Sequence, residues 1–203
     1  MPPGRTHARD KLASLLWGST VETTARTSLR HALYALRKCL RGAASQPLRV
    51  DGEMVACDPA AVTVDVSEFE RLASEATPAA LAEAAALYQG DLLQGLAVQE
   101  PPFEDWLMAQ RERLHQMALV ALNRLLAHLD AAGSTEDAVQ VALRLLALDP
   151  LQEPVHRALM RLYVQAGRRG AALRQYQHWV ATLQRELRTE PDAETKALYQ
   201  EIL

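Results

Sequence analysis

The stretch STVETTARTSLRHALYALRKCLRG carries the side chains best suited to binding chemistry, and it predicts one long helix between Thr20 and Arg41. Its polar positions hold five cations with a hydroxyl and a phenol among them, namely Arg26, Thr27, Arg30, Tyr34, Arg37, Lys38 and Arg41. Phosphate is the commonest partner of such a basic cluster. The residues therefore predict the binding of phosphate groups rather than catalysis.

These side chains lie on one side of the predicted helix, with Arg26 and Arg37 at the flank. Its apolar residues recur at steps of three and four, which places them in one stripe that we expect to be buried. The stripe consists of Ala25, Leu29, Ala32, Leu33, Leu36 and Leu40. Ser19 and Glu22 fit a capping box, and Gly42 fits a left-handed stop. The alternative is a solvated helix without a ligand, since Arg and Lys are good helix formers on any surface.

A shorter helix is predicted before this one. The first eight residues, MPPGRTHA, are turn-rich and predict no structure of their own, whereas Arg9–Trp17 has an amphipathic pattern that ends at Gly18. A short helix followed by a longer basic helix is the order of a helix-turn-helix, whose second helix enters the major groove of DNA.

A hairpin is predicted after the long helix. Leu48–Val50 and Met54–Ala56 are strand candidates around Asp51-Gly52, a dipeptide that favours a two-residue type I′ turn. Arg49 on this hairpin is placed to reach a phosphate or the minor groove. A hairpin by itself is more often a structural ribbon, but the three elements in this order favour a winged helix that binds DNA.

Composition and charge support a division of the 203-residue chain. The hydrophobic fraction is 49%, with many Ala and Leu, which predicts a mostly helical protein with a core. Residues 1–50 contain nine Lys or Arg and two acidic residues, a net charge of +7, while the remainder carries −10. We place the domain boundary near residue 60, with a DNA-binding domain over 1–60 and a helical domain over 61–203.

Several other functions are not supported by the sequence. Cys39 and Cys57 have no neighbouring ligands at metal-site spacing, so no metal and no cofactor are predicted. The carboxylate pairs at Glu104-Asp105 and at Glu68 and Glu70 are explained by helix surfaces and caps, and no Gly-rich phosphate loop is present. No signal peptide or membrane span is recognisable. We expect a cytoplasmic protein that is not an enzyme and does not bind membranes.

The second half of the chain contains an internal repeat. Ala132-Gly133 and Ala166-Gly167 are 34 residues apart, and so are Ala138 and Ala172. Matching apolar positions are Leu125 with Leu159, Leu129 with Tyr163, and Ala142 with Tyr176. Thirty-four residues is the period of tetratricopeptide repeats, whose stacked helix pairs form a concave surface that binds proteins or peptides.

In this order the elements resemble the SARP-type transcriptional regulators, which join an OmpR-like winged helix to a bacterial transcriptional activation domain. The resemblance covers most of residues 9–203. It is carried by the segments RDKLASLLW, ARTSLRHALYALRKCL, VDVSEFERL, ALYQGDLL, FEDWL and QRELRTEPDAETKALYQEI. The implied fold is mostly α, with a partial winged helix-turn-helix followed by a tetratricopeptide-like repeat domain.

The resemblance also implies roles for the basic residues. Arg26 and Arg30 would contact bases in the major groove, with Thr27 and Tyr34 beside them. The implied phosphate contacts are Arg37, Lys38 and Arg49, and Arg41 extends the same face. Of these residues, Arg30 is our choice for base reading because it faces outward in the N-terminal half of the helix.

Two features depart from the family pattern. Ala8 stands where family members often have Ser before the first helix. The family's winged helix also begins with a small sheet and a further helix, which we expect this chain to lack. We therefore expect Leu12, Leu16, Leu29 and Leu33 to lack part of the core that would cover them.

The predicted function is that of a DNA-binding transcriptional regulator, by resemblance an activator. Its expected partners are double-stranded promoter DNA and, through the repeats, RNA polymerase or another protein, with homodimerisation left open. The alternative is a tetratricopeptide-like scaffold that no longer binds DNA.

Overall fold

A computed structural model of the protein describes residues 4–42 and 46–203. The described residues form nine α-helices and a three-stranded antiparallel sheet, which confirms a mostly α fold. The strands are β1 (His7–Ala8), β2 (Leu48–Asp51) and β3 (Met54–Cys57). The helices are α1 (Arg9–Leu16), α2 (Glu22–Cys39), α3 (Asp65–Glu75), α4 (Pro78–Leu87), α5 (Pro101–Ala131), α6 (Thr135–Leu148), α7 (Glu153–Gln165), α8 (Arg169–Glu186) and α9 (Ala193–Ile202).

Two compact units make up the described chain. The first contains the described residues of Met1–Leu72 together with Leu87–Gln116. The second contains Ala73–Ala86 and Met117–Leu203. The sheet, α1 and α2 belong to the first unit, and α6 to α9 belong to the second.

The first unit contains a small core between the sheet and the two N-terminal helices. Its buried residues are Leu12, Ala13, Ala25, Leu29, Leu33 and Val55. Trp17, Leu48 and Val50 pack against them. The expectation of an incomplete core is therefore wrong for Leu12 and for the leucines in the first half of α2, because the hairpin and α1 bury them.

Strand β1 is a difference from the sequence prediction, which gave the first eight residues no structure. The strand order is β1-β3-β2, and β1 lies antiparallel to β3 with His7 opposite Val55. Further backbone bonds extend this pairing, from Gly4 N–H to Cys57 O at 2.9 Å and from Arg9 N–H to Glu53 O at 2.8 Å. A two-residue strand has no periodicity to detect, and only its long-range partner defines it.

The hairpin forms as predicted, but its turn is displaced by one residue. Asp51 pairs with Met54, so the two-residue loop is Gly52-Glu53 rather than Asp51-Gly52. Only Gly52 has a positive φ, of 52°, whereas a type I′ turn needs positive φ at both loop positions.

Helix α2 forms as predicted, but both of its ends differ. Val21 is the N-cap and no side chain caps the helix, so Ser19 and Glu22 do not form a capping box. Gly42 ends a 3₁₀ helix, Leu40–Gly42, and does not have a left-handed φ.

The apolar stripe of α2 is buried only in its first half. Leu29 and Leu33 are buried, whereas Leu36 is 50% and Leu40 37% exposed. Helical period places all four residues on one side of the helix. The prediction that Leu36 and Leu40 are buried is wrong, because burial also needs an element that covers the side chain. The last residue of α2 in the described core is Leu33.

The repeat prediction is confirmed in geometry. Ala138 and Ala172 are both fully buried. Gly133 and Gly167 share a φ of 71° and follow the ends of α5 and α7. The same six-to-one backbone bond closes both helices, from Ser134 N–H to Leu129 O at 2.9 Å and from Arg168 N–H to Tyr163 O at 2.7 Å. This bond is the Schellman motif, which requires the left-handed residue that Gly supplies.

Candidate nucleic-acid interface

The candidate interface is the outward side of α2 and of the 3₁₀ turn that follows it, and its residues are those predicted for the long helix. We call it the basic face and define it as Arg26, Thr27, Arg30, Tyr34, Arg37, Lys38 and Arg41. All seven residues are exposed, and the Tyr34 side chain is the most accessible aromatic of the described residues, at 63%.

Four cations of the basic face have no partner among residues 4–42 and 46–203. Arg30, Arg37, Lys38 and Arg41 make neither a hydrogen bond nor an ion pair with any described residue. Arg30 and Lys38 are two turns apart, which corresponds to about 12 Å along a helix. Double-stranded DNA carries one phosphate charge per roughly 1.7 Å of its axis, so a segment of this length can face several phosphates.

Arg26 is placed differently, because two carboxylates hold its guanidinium. Its Nε and one terminal nitrogen donate to the two oxygens of Asp10 at 2.8 and 2.9 Å, and a terminal nitrogen lies 2.9 Å from Glu22. The hydrogen bonds to Asp10 and the negative charges of both carboxylates raise the pKa of Arg26. The bidentate pair connects α2 to α1 and neutralises the cation at the start of the basic face.

Two other predicted residues also have intramolecular partners. The Thr27 hydroxyl donates to Thr23 O at 2.9 Å, one turn earlier on α2. Arg49 on β2 is exposed and forms an ion pair with Asp58. The backbone N–H of Ala60 and the Arg49 guanidinium together lower the pKa of Asp58. The structure therefore brings the cations of α2 onto one face, whereas Arg49 is held at the hairpin by the Asp58 carboxylate.

Comparison with known proteins assigns the C-terminal two thirds of the chain. A sequence model of the bacterial transcriptional activator domain matches residues 64–203. The chain belongs to this family. The fold is also similar to that of Mycobacterium tuberculosis EmbR in complex with a low affinity phosphopeptide, with a TM-score of 0.68 and 20% sequence identity. This similarity covers 98% of the chain and 55% of the EmbR chain, so the protein spans about half of that relative's length. No curated protein matches the sequence significantly.

The family match confirms the bacterial transcriptional activator domain that the resemblance to SARP-type regulators implied. In residues 4–42 and 46–203, no helix has the length and apolar character that crossing a membrane requires. Over the same residues, no cluster of His, Cys, Asp and Glu is arranged to hold a metal ion.

The turn before α2 is attached to the start of the matched activator domain's long helix. Ser19 donates its N–H and its hydroxyl to one carboxylate oxygen of Glu100, at 2.9 and 2.7 Å. These two bonds lower the pKa of Glu100. At Gly18 a Cβ atom would lie 2.5 Å from Ser14 O and 3.0 Å from Pro102, so only glycine fits the turn.

One of these contacts could have been predicted from the sequence. Glu22 precedes Arg26 by four residues, the spacing of a helical ion pair, and could have been read as its partner. Asp10 is 16 residues away and Glu100 is 81 residues from Ser19, and no local pattern connects them.

Proposed function

We propose that this activator binds double-stranded promoter DNA through the basic face of α2 and contacts RNA polymerase or another protein through its helical repeats. In this proposal residues 1–60 form the DNA-binding domain and 61–203 the activator domain, a boundary consistent with a family match that begins at residue 64. A protein that reads promoters in a bacterium works in the cytoplasm, and we place it there.

The observation that carries the proposal is the set of unpaired cations on α2 and the 3₁₀ turn after it. Arg26 differs from the other cations of the face because carboxylates hold its guanidinium. Arg30, Arg37, Lys38 and Arg41 have none among the described residues, so their charge is available to phosphates. Helix α2 is also the second helix of a helix-turn-helix, the position that enters the major groove.

Individual roles follow from position and partner. We assign base reading to Arg30, because an arginine that is bidentate to guanine contributes about 1–3 kcal/mol of discrimination. Arg37, Lys38 and Arg41 lie further along the helix and are assigned to phosphates, with Thr27 and Tyr34 beside the bases. Arg26 and Arg49 remain candidate contacts, each of which must exchange a carboxylate for DNA.

The experiment first selects a preferred duplex from a randomised pool and then compares it with a scrambled duplex in mobility-shift titrations over salt. Arg30→Ala should lower the preference for the selected duplex by about 5- to 150-fold, which corresponds to 1–3 kcal/mol. Lys38→Ala should weaken both duplexes equally and reduce the salt slope by about 1. If Arg30→Ala instead behaves as Lys38→Ala should, Arg30 contacts phosphate and the base reader lies elsewhere.

The alternative function is a protein-interaction scaffold without DNA binding, and the repeats favour it. Stacked helix pairs form the concave surfaces of peptide- and protein-binding arrays. The EmbR relative is in complex with a phosphopeptide, which supports a peptide or protein partner for this chain as well. Absence of measurable affinity for any duplex at low salt would favour the scaffold. Size-exclusion chromatography with light scattering would test the remaining partner, a second copy of the chain.

A further inference from the structure

A cavity of about 870 Å³ lies within the first unit, away from the basic face. Its walls come from the segment that leads into α1, from α1 itself, from the start of α3 and from α5. Ligand-binding cavities have volumes of about 300–1,000 Å³ and are mostly apolar with a few polar groups. This cavity is therefore large enough for a small organic molecule.

The apolar part of the lining is continuous and includes an aromatic ring. Leu12 and Leu15 line it from α1, Trp106 and Leu114 from α5, and Leu92 from the loop before α5. Trp106 is half-buried, and its ring packs against that of Phe103 with the two centroids 5.5 Å apart. A planar apolar body would gain contact with these side chains.

The charged part of the lining is unbalanced. Glu70 is paired with Arg113 at 2.6 Å, so these two charges compensate each other. Arg5 and Lys11 have no acidic partner among the described residues, and Asp65 is the remaining carboxylate. The Asp65 side chain accepts the N–H of Val66 at 2.7 Å. Two uncompensated cations and one carboxylate leave a positive charge at the cavity.

His7 adds a polar group without a partner. It lines the cavity, and its Nε2 is buried without a hydrogen bond to any described residue. Burial and the charges of Arg5 and Lys11 lower the pKa of His7. An unsatisfied buried polar atom is uncommon in a folded protein and is often explained by a ligand or an ion.

We propose that this cavity binds a small organic anion, with a planar apolar body against Trp106 and the leucines and an acidic group near Arg5 and Lys11. The ligand would contact residues 5–15, which lie outside the activator-domain match, and residues 64–114, which lie inside it. A ligand in this position would connect the activator domain to the segment before it, as an effector does. The inference does not depend on DNA binding and can be tested without DNA.

The test uses 1-anilinonaphthalene-8-sulfonate, a fluorescent aromatic sulfonate, with the full chain. We expect saturable binding that the double variant Arg5→Glu/Lys11→Glu weakens at least tenfold. Arg124→Glu/Arg161→Glu makes the same change in net charge at exposed positions of the repeats and should alter the affinity less than twofold. The uncharged analogue N-phenyl-1-naphthylamine should bind at least tenfold more weakly than the sulfonate.

Location is tested by Leu15→Trp, which fills the cavity from α1 and should abolish binding. Circular dichroism melts of every variant separate a blocked site from a lost fold, and Arg5 and Lys11 are exposed, so their replacement leaves the core intact. Equal affinity of the Arg5/Lys11 variant and the wild type overturns the anion site. Equal affinity of the neutral analogue, or full binding to a folded Leu15→Trp protein, also overturns it, because the dye then marks apolar surface only.

Discussion

The cations of the basic face differ in their surroundings from two arginines that join elements of the helical repeats. In the repeats, Arg157 is only 13% exposed and forms ion pairs with Asp192 and Glu194, and Arg168 pairs with Glu136. On α2, Arg30 has no partner among the described residues. A charge with a partner holds elements of the protein together, whereas a charge without one is available to an external anion. Arginine is thus a structural residue at Arg157 and Arg168 and a candidate binding residue on α2.

Aromatic residues follow the same division. Trp179 in α8 is 1% exposed and stacks on His156 with ring centroids 4.3 Å apart. Tyr34 in α2 is largely exposed and has no aromatic neighbour among the described residues. The repeats therefore derive stability from their side chains, and the basic face is expected to contribute little. The following predictions test that contrast.

The largest expected effect is on the core of the repeats. Trp179→Ala should lower the free energy of unfolding by about 3 kcal/mol, toward the lower end of the 3–5 kcal/mol range for a buried aromatic. The lower end applies because the buried Nε1–H of Trp179 has no partner in the described part of the chain, so its removal also relieves a penalty. Urea unfolding followed by circular dichroism measures the change.

Tyr34→Ala is the matched control and should alter the free energy by no more than about 0.5 kcal/mol. A cost for Tyr34→Ala close to that of Trp179→Ala would mean that α2 is stabilised through its outward side, and the contrast would be lost.

The second largest effect is the difference in stability cost between replacing a paired and an unpaired arginine. Arg157 donates to Asp192 and to the Thr195 hydroxyl, which connects α7 to the start of α9. Arg157→Ala should cost about 2 kcal/mol, the value for a partly buried charged hydrogen-bond network. Arg30→Ala should change stability by less than about 0.5 kcal/mol while it weakens DNA binding. Chemical denaturation of both variants beside the wild type decides the matter, and equal stabilities contradict the assignment of Arg157.

Local signals predicted most of the fold. The helices of the repeats were predictable because a 34-residue period repeats Ala138 as Ala172 and Gly133 as Gly167, and each glycine ends a helix through its own backbone. Helix α2 was predictable for the same reason, since its apolar period lies within the sequence of the helix.

Long-range contacts were not predictable. The spacing of Ser19 and Glu22 predicts a helix cap, yet the Ser19 hydroxyl binds Glu100, 81 residues away. Leu36 was assigned to the core because a period indicates a side of the helix, but burial depends on a covering element. At the candidate site, the sequence identified the cations but not Asp10, the carboxylate that removes Arg26 from the unpaired set.

The repeats should also respond to pH through His156. Gln175 donates to its Nδ1 at 2.7 Å, so the Nε2–H donates to Pro150 O at 3.0 Å and the buried ring is neutral. Burial lowers the pKa of His156. The unfolded chain, with a pKa of about 6.5, then binds more protons than the folded protein as the pH falls. Stability should be complete above pH 6.5 and decline below it, by at most about 1.4 kcal/mol per pH unit.

Urea midpoints at pH 7.5, 6.5 and 5.5 measure this decline, and the range stays above the titration of the carboxylates. His7 also has a lowered pKa and contributes with the same sign, so His156→Gln is needed to isolate the buried residue. The variant should have a flatter profile than the wild type, and an unchanged profile would assign the decline to other groups.

The smallest expected effect concerns Arg26, the one cation of the basic face that is paired with carboxylates. Asp10→Asn removes the bidentate partner of Arg26 and leaves Glu22, whose exposed i,i+4 pair is weak. If Arg26 lies toward DNA, the variant should bind any duplex about threefold more tightly at low salt, and the slope of log affinity against log salt should steepen by about 0.9, the value for one added phosphate contact. Glu201→Gln makes the same charge change on α9 and should leave the slope unaltered. Equal slopes in the two variants would mean that the Asp10 pair only connects α1 to α2, and that the contact surface begins at Arg30.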